Sequence, residues 1–374
     1  MKRYWIGFAV LMVLLLILSA CAPAEPEVVE VTRVVTQTET VTEQVEVTRI
    51  VEGEVQTEQV EVTRIVEVQS EPTILRVAFP STIDVDDVAA MLAFDRMQQQ
   101  GFAVAPTFYA QGELAATAVS GGQADMGVGA STVWIGAIQQ GAAIKGIMEQ
   151  SKNGWSVVSI PEVETCEDVD GMRTAIHSEA SVSTAMLRAW IGDNCPDIEP
   201  NYLVIPGSEN RAAALMAGEI DVTPAELIDS IQIMALRPGE FHTLANFGQD
   251  LPNLKTGGFW VSEAFAEEHP EAVETFIRNV LEVHRQIADD PEWFKEQVPR
   301  FLEMDEDQLA LLDDIVDTLI EVDNYPVNGG LTEDTGQYTI DFFIDSGRLE
   351  PGLTADQVYD LSYLNKVLDE IGRR

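Results

Sequence analysis

Ser131, Thr132, Ser178, Ser181, Thr223 and Glu226 stand where short apolar segments end, and Phe79 and Ser81 close another such segment. Hydroxyls beside free backbone N–H groups at a helix start hold the polar part of a small molecule. Flat rings lie close by in sequence: Trp134 follows the first hydroxyl pair, Trp155 stands later, and Trp260 follows Phe259. Rings at strand mouths suit stacking on a flat ligand. Glu226 repels a small anion, and no Arg or Lys falls inside the three hydroxyl loops. These residues therefore point to binding of a flat neutral ring. Two plain alternatives stay open: helix capping for Ser181 or Ser183, and core or hinge packing for the tryptophans. Trp190, inside a helical pattern, is read as packing.

Nothing in the chain assembles a catalyst. It has no phosphate loop, no Gly-x-Ser-x-Gly elbow, no Cys-x-x-Cys and no His-Glu-x-x-His run. The four histidines, His177, His242, His269 and His284, do not fall at metal spacing. His177 adjoins a hydroxyl loop and could touch a ligand. His269 and His284 lie in an acidic helical stretch and read as solvated. No cofactor or metal is implied. With 22 basic against 63 acidic side chains, the net charge of -41 excludes nucleic acid as a partner.

The elements that must position these residues alternate. A strand is expected at 74–79, a helix at 86–100 stopped by Gly101, and a strand at 104–110. A helix opening at Gly112-Glu113 and a strand at 125–130 follow. Such alternation predicts parallel sheets with covered faces. One unit occurs twice. The run 114–125 leads into Met126-Gly-Val-Gly-Ala-Ser-Thr132, and the run 208–221 leads into Val222-Thr-Pro-Ala-Glu226. Each copy reads helix, glycine stop, aspartate, short strand, hydroxyl loop. Two α/β lobes with such loops at their strand ends define a cleft between them. A helix is expected from about 184 to 192. Gly257-Gly-Phe-Trp-Val261 reads as a strand crossing back to the first lobe, and 262–287, 305–320 and 361–371 as largely helical.

The start of the chain is of another kind. Lys2 and Arg3 precede an apolar run over 5–18 and then Leu18-Ser-Ala-Cys21, a secretory pattern too short to span a bilayer comfortably. This tetrapeptide resembles the lipobox of bacterial lipoproteins, which implies lipidation of Cys21 and a lipid-anchored protein facing the extracytoplasmic side; a retained anchor helix is the alternative. Residues 22–72 repeat themselves, Thr42 to Glu52 returning unchanged as Thr57 to Glu67. Repeats this short close no core, and their valines and threonines favour extended chain over helix, so the segment reads as a stalk, with a short coiled coil as alternative. With Cys21 lipidated, Cys166 and Cys195 remain as a pair in an oxidising compartment, either bridged or as two buried thiols.

From residue 74 to the C-terminus the chain resembles the solute-binding proteins of ABC importers. The subgroup is the one that binds alkanesulfonates, nitrate, thiamine pyrimidine precursors and riboflavin. The resemblance rests on 119–130, on Leu215-Met-Ala-Gly-Glu-Ile-Asp-Val222 and on Gly171-Met-Arg-Thr-Ala-Ile-His-Ser178. It implies a monomeric, non-enzymatic α/β clamp of two lobes that passes a small solute to membrane permease subunits. Lobe I would comprise 73–154 and 248–374, including a C-terminal helical wrap, and lobe II 155–247. The absence of a loop cation favours a flat heterocycle, riboflavin ahead of a thiamine pyrimidine precursor, over taurine, alkanesulfonate or nitrate. A thiamine-pyrimidine synthase would need a histidine- and cysteine-rich active region, and a sensory or adhesive protein a further domain; neither is seen.

Overall fold

The computed structural model describes residues 35–51, 54–70, 72–179, 181–304 and 306–374. The N-terminal segment read as secretory and Cys21 lie outside the described residues. Contacts divide the chain into two units, residues 1–69 and 70–374. In the repeat region, strands β1 (Val35–Val51) and β2 (Glu54–Ser70) pair as a two-stranded sheet. β-branched residues crowd a helical turn but stand clear on a pleated strand, which is why the repeat is extended.

The larger unit carries two five-stranded sheets. The strands are β3 (Ile74–Phe79), β4 (Ala103–Phe108), β5 (Met126–Ala130), β6 (Ile144–Met148), β7 (Ser156–Ser159), β8 (Arg173–Ile176), β9 (Asn201–Val204), β10 (Val222–Ala225), β11 (His242–Asn246) and β12 (Gly257–Ser262). The first sheet runs β4-β3-β5-β12-β6 and the second β9-β8-β10-β7-β11. Each places its own second, first and third strands side by side in parallel, then a crossing strand, then its fourth. The expectation of parallel sheets needs correction here. β12 is antiparallel to β5 and β6, and β7 is antiparallel to β10 and β11. Each crossing strand enters from the other half of the chain, so it arrives from the strand-end side and runs the opposite way.

The internal repeat has a structural counterpart. In the first sheet Asp125 accepts hydrogen bonds from the backbone N and Nε of Arg76, at 2.8 and 3.0 Å, while Arg76 Nη1 reaches the carbonyl of Gly122. In the second, Asp221 accepts from the backbone N and Nε of Arg173 at 2.9 and 3.0 Å, and Nη1 reaches the carbonyl of Gly218. Both clamps fix a helix end to the start of a strand, away from the hydroxyl ends. The repeated aspartates are therefore structural.

Helices Val88–Gln99, Pro270–Asp289, Pro291–Gln297 and Glu306–Glu321 bury a common apolar cluster that includes Leu92, Val283, Phe294 and Val316. In Pro270–Asp289 the buried Val273, Phe276, Ile277, Val280, His284 and Ile287 recur at helical spacing, and Pro270 occupies the first turn. His284 corrects the solvated reading. It is fully buried, desolvation pushes its pKa down to about 4, and Nδ1 lies 3.2 Å from the carbonyl oxygen of Pro326. A neutral imidazole donates that bond.

Cys166 and Cys195 are joined as a disulfide, their Cα atoms 5.9 Å apart, beside the helix Val182–Asn194.

Candidate functional site

Parallel strands of both sheets end on one side, and the loops that leave them carry the accessible polar groups. From the first sheet come 80–87 after β3 and 149–155 after β6; from the second come 177–181 after β8, 205–208 after β9 and 226–229 after β10. The loop after β3 is locally self-bonded. Asp84 accepts from the backbone N of Asp86 at 2.8 Å, and Asp87 accepts from the backbone N of Asp84 at 3.1 Å. Asn324 donates to Asp86 and Gln150 to Asp87, at 3.0 and 2.6 Å.

Carboxylates in the loops of both sheets lie within electrostatic reach of one another. Asp84 and Asp86 act on Glu226, and Asp84 also on Asp229. Desolvation raises the pKa of Asp84, Asp86, Glu226 and Asp229 and pushes Asp87 up to about 8, with like charge adding to it from Glu209 at Asp84 and from within the loop at Asp86 and Asp87. Asp84 and Glu226 are nevertheless open to solvent. Groups that are desolvated by surrounding protein yet reachable by water line a cleft.

Beneath this face lies Arg211, fully buried in the helix Ser208–Met216. Its guanidinium donates to the carbonyls of Gly207 and Pro224 and to Thr223 Oγ1, at 2.9, 3.1 and 3.2 Å, and lies 5.9 Å from the centre of the Trp155 ring. It ties the loops after β9 and β10 together. Sequence reading missed it because it stands one helical turn beyond the loops it serves.

The residues singled out from sequence separate into two groups. Accessible at the strand ends are Ser81, Trp155, Ser178, His177 and Glu226. His177 Nδ1 accepts from the backbone N of Gly207 at 3.1 Å, and desolvation lowers its pKa, with Arg211 adding to the effect. Ser181 caps the helix Val182–Asn194 by accepting from the backbone N of Thr184.

The others are structural. Ser131 opens the helix Ser131–Gln139 directly from β5, with no intervening loop, and its buried hydroxyl donates to the carbonyl of Lys255 at 2.6 Å. Thr132 sits half-buried in the same first turn, and Thr223 is fully buried under Arg211. Phe79 packs against Phe94 and Phe108. Trp134 and Trp260 are buried and stack on each other with centroids 6.1 Å apart, so neither presents a face to the cleft. The reason is glycine. Trp260 is in register with Gly127 on β5 and Gly146 on β6, and a Cβ at Gly127 would come within 2.3 Å of its ring. A Cβ at Gly146 would meet Trp134 at 2.5 Å. Glycine within a strand signals such close approach, and the glycines of 126–130 were the available sign.

The two crossings between the sheets are joined by a buried ion pair. Lys255 Nζ donates to Glu149 Oε2 at 3.1 Å, with the side chains 10% and 1% exposed respectively. Desolvation raises Glu149 to about 7 despite the attraction of Lys255.

A family model described as NMT1/THI5 like matches residues 97–293. The chain belongs to the NMT1/THI5-like family. This member of the family shares its fold with solved structures at low identity. One is the ligand-binding component of an ABC-type import system from Staphylococcus aureus with zinc bound, at TM-score 0.62, 11% identity, and coverage of 79% of this chain and 99% of that one. Another is the periplasmic nitrate-binding protein NrtA from Synechocystis, at TM-score 0.64, 13% identity, and coverage of 81% and 90%. The periplasmic aliphatic sulphonate-binding protein SsuA from Escherichia coli gives 0.59, 16%, 78% and 94%. No curated protein matches at the level of sequence. The fold of this NMT1/THI5-like protein is thus the α/β periplasmic-binding-protein fold with a helical C-terminal region.

Proposed function

We propose that the protein is the extracytoplasmic receptor of an ABC importer and closes two lobes, 73–154 with 248–374 and 155–247, on a small solute. The family, the shared fold and the two sheets with facing strand ends support this reading. The observation that selects the solute is a set of carboxylates from both sheets, Asp84, Asp86, Glu226 and Asp229, all raised chiefly by desolvation, with Asp84 and Asp86 adding like charge at Glu226 and Asp84 at Asp229. Like charges facing across a cleft repel until a cation bridges them. The solute is therefore an amine-bearing heterocycle with Trp155 at its edge. A pyrimidine with an exocyclic amine moves ahead of riboflavin, whose neutral ring makes no use of the carboxylates. Sulfonate and nitrate would meet repulsion, since the buried Arg211 spends its donors on Thr223 and backbone carbonyls. Among the described residues no group of His, Cys, Asp and Glu is arranged to hold a metal ion. The accessible ring of Trp155 suits an organic cation, which its face attracts.

Thermal shift and tryptophan fluorescence should be recorded with aminopyrimidines, thiamine, riboflavin, taurine, alkanesulfonates and nitrate in one buffer. A ligand at a hundredfold excess over its Kd should stabilise the protein by about 2.7 kcal/mol. Amine-bearing rings should produce that shift. A response confined to the small anions would sink the cationic solute and leave the importer reading standing.

Attachment to the membrane through Cys21 belongs to the same proposal. Among the described residues no helix is long and apolar enough to cross a membrane. Cys21→Ser should release the protein from the membrane fraction or stall its maturation. Unchanged fractionation with membranes would assign the anchor to the apolar run over 5–18 instead.

A further inference from the structure

A cavity of about 340 Å³ opens beside the carboxylate face. Its wall is mixed: Ile83 from the loop after β3, Ile228 from the helix Leu227–Leu236, and Leu302 and Ile315 from the C-terminal helical region form an apolar side, while Gln232 and Glu303 are among the polar groups that complete it. Asp84 belongs both to this wall and to the carboxylate set. The helix carrying Ile228 follows β10 of the second sheet, while the loop carrying Ile83 follows β3 of the first. An apolar group lodged here would touch structure attached to both sheets.

Taking the protein as a two-lobe receptor for a cation, on which the cavity's role rests, we infer that the solute is an amphipathic cation. Its charged head lies at Asp84, Asp86 and Glu226, and an apolar extension is seated in this cavity. At about 30 Å³ per heavy atom the cavity takes an extension of roughly ten heavy atoms. Carboxylates alone would accept any cation and would favour the most compact. The adjoining apolar side of the cavity supplies selection by length, since each buried methylene strengthens binding about fourfold.

Isothermal titration of the whole chain with primary n-alkylamines from butyl to octyl tests this, with n-alkyl carboxylates of matching length as the contrast. Affinity for the amines should climb about fourfold per methylene, and the carboxylates should not bind. Ile228→Trp, which fills the cavity, should flatten the dependence on length, weakening octylamine far more than butylamine. Leu302→Trp, at a half-buried position on the C-terminal side of the same cavity, provides the same reading should the first variant fold poorly. Amines that bind with no dependence on length would overturn the apolar seat while sparing the cationic receptor. Carboxylates binding as well as amines would overturn both the cationic head and the cationic solute of the importer reading. Aminopyrimidines that bind while no alkylamine does would overturn the amphipathic solute alone.

Discussion

Replacing Asp86 and Glu226 together by Asn and Gln should weaken binding of an amine-bearing ligand about 100-fold, or roughly 2.7 kcal/mol. The same variant should make the ligand-free protein more stable at pH 8 than its parent. The sign follows from the raised carboxyls. In the folded state Asp86, Asp87 and Glu226 hold protons at pH values where the unfolded chain has released them. The stability they contribute is complete below the ordinary carboxylate range and is lost as pH rises, through about 8 for Asp87. The parent should therefore melt lower at pH 8.5 than at pH 5, and the amide variant should show a flatter profile. Calorimetry across that range decides the matter. A parent whose stability rises with pH would remove the raised carboxyls on which the solute assignment depends.

Lys255→Met should cost about 2 kcal/mol at pH 8.5, because the parent's Glu149 ionises at about 7 and the stranded carboxyl of the variant stays protonated. Glu149 is raised to about 7 even with Lys255 beside it, and without Lys255 it should rise further. At pH 5 Glu149 is protonated in both proteins, so the cost of the substitution should shrink toward zero. The double replacement Glu149→Leu with Lys255→Met should recover much of the loss at high pH, since a well-packed apolar pair often substitutes for a buried ion pair. Chemical denaturation of the four proteins at the two pH values completes the cycle. An equal penalty at pH 5 and 8.5 would show that packing of the lysine stem, and not its charge, holds the two crossings together.

Much of the architecture was legible in the chain. The duplicated helix, glycine, aspartate and strand unit announced two similar halves, and the paired clamps Arg76–Asp125 and Arg173–Asp221 are its physical content. The strand Gly257–Ser262 and the helix opening at Pro270 lie where local pattern placed them, because a short apolar run such as Phe259-Trp-Val261 and a proline act within a few residues of themselves. Strand direction was not legible. Nothing in the composition of Ser156–Ser159 or Gly257–Ser262 tells the chain which way it will run beside its neighbours; the path of the crossings decides that.

The site divides along the same line. Sequence alone determined several of the positions where strands begin or end, among them Glu226 after Val222–Ala225 and Trp155 before Ser156–Ser159. Only the tertiary structure decided that Trp134 and Trp260 pack over Gly146 and Gly127 and leave the cleft, a matter of register between strands more than a hundred positions apart. It alone brought Asp84 and Asp86 within electrostatic reach of Glu226, and Asp84 within reach of Asp229, which no local pattern connects. Helix, strand and turn preferences are fixed by neighbours along the chain. The charge and shape of a cleft are sums over groups that are neighbours only in space, and burial then turns ordinary carboxylates into raised ones.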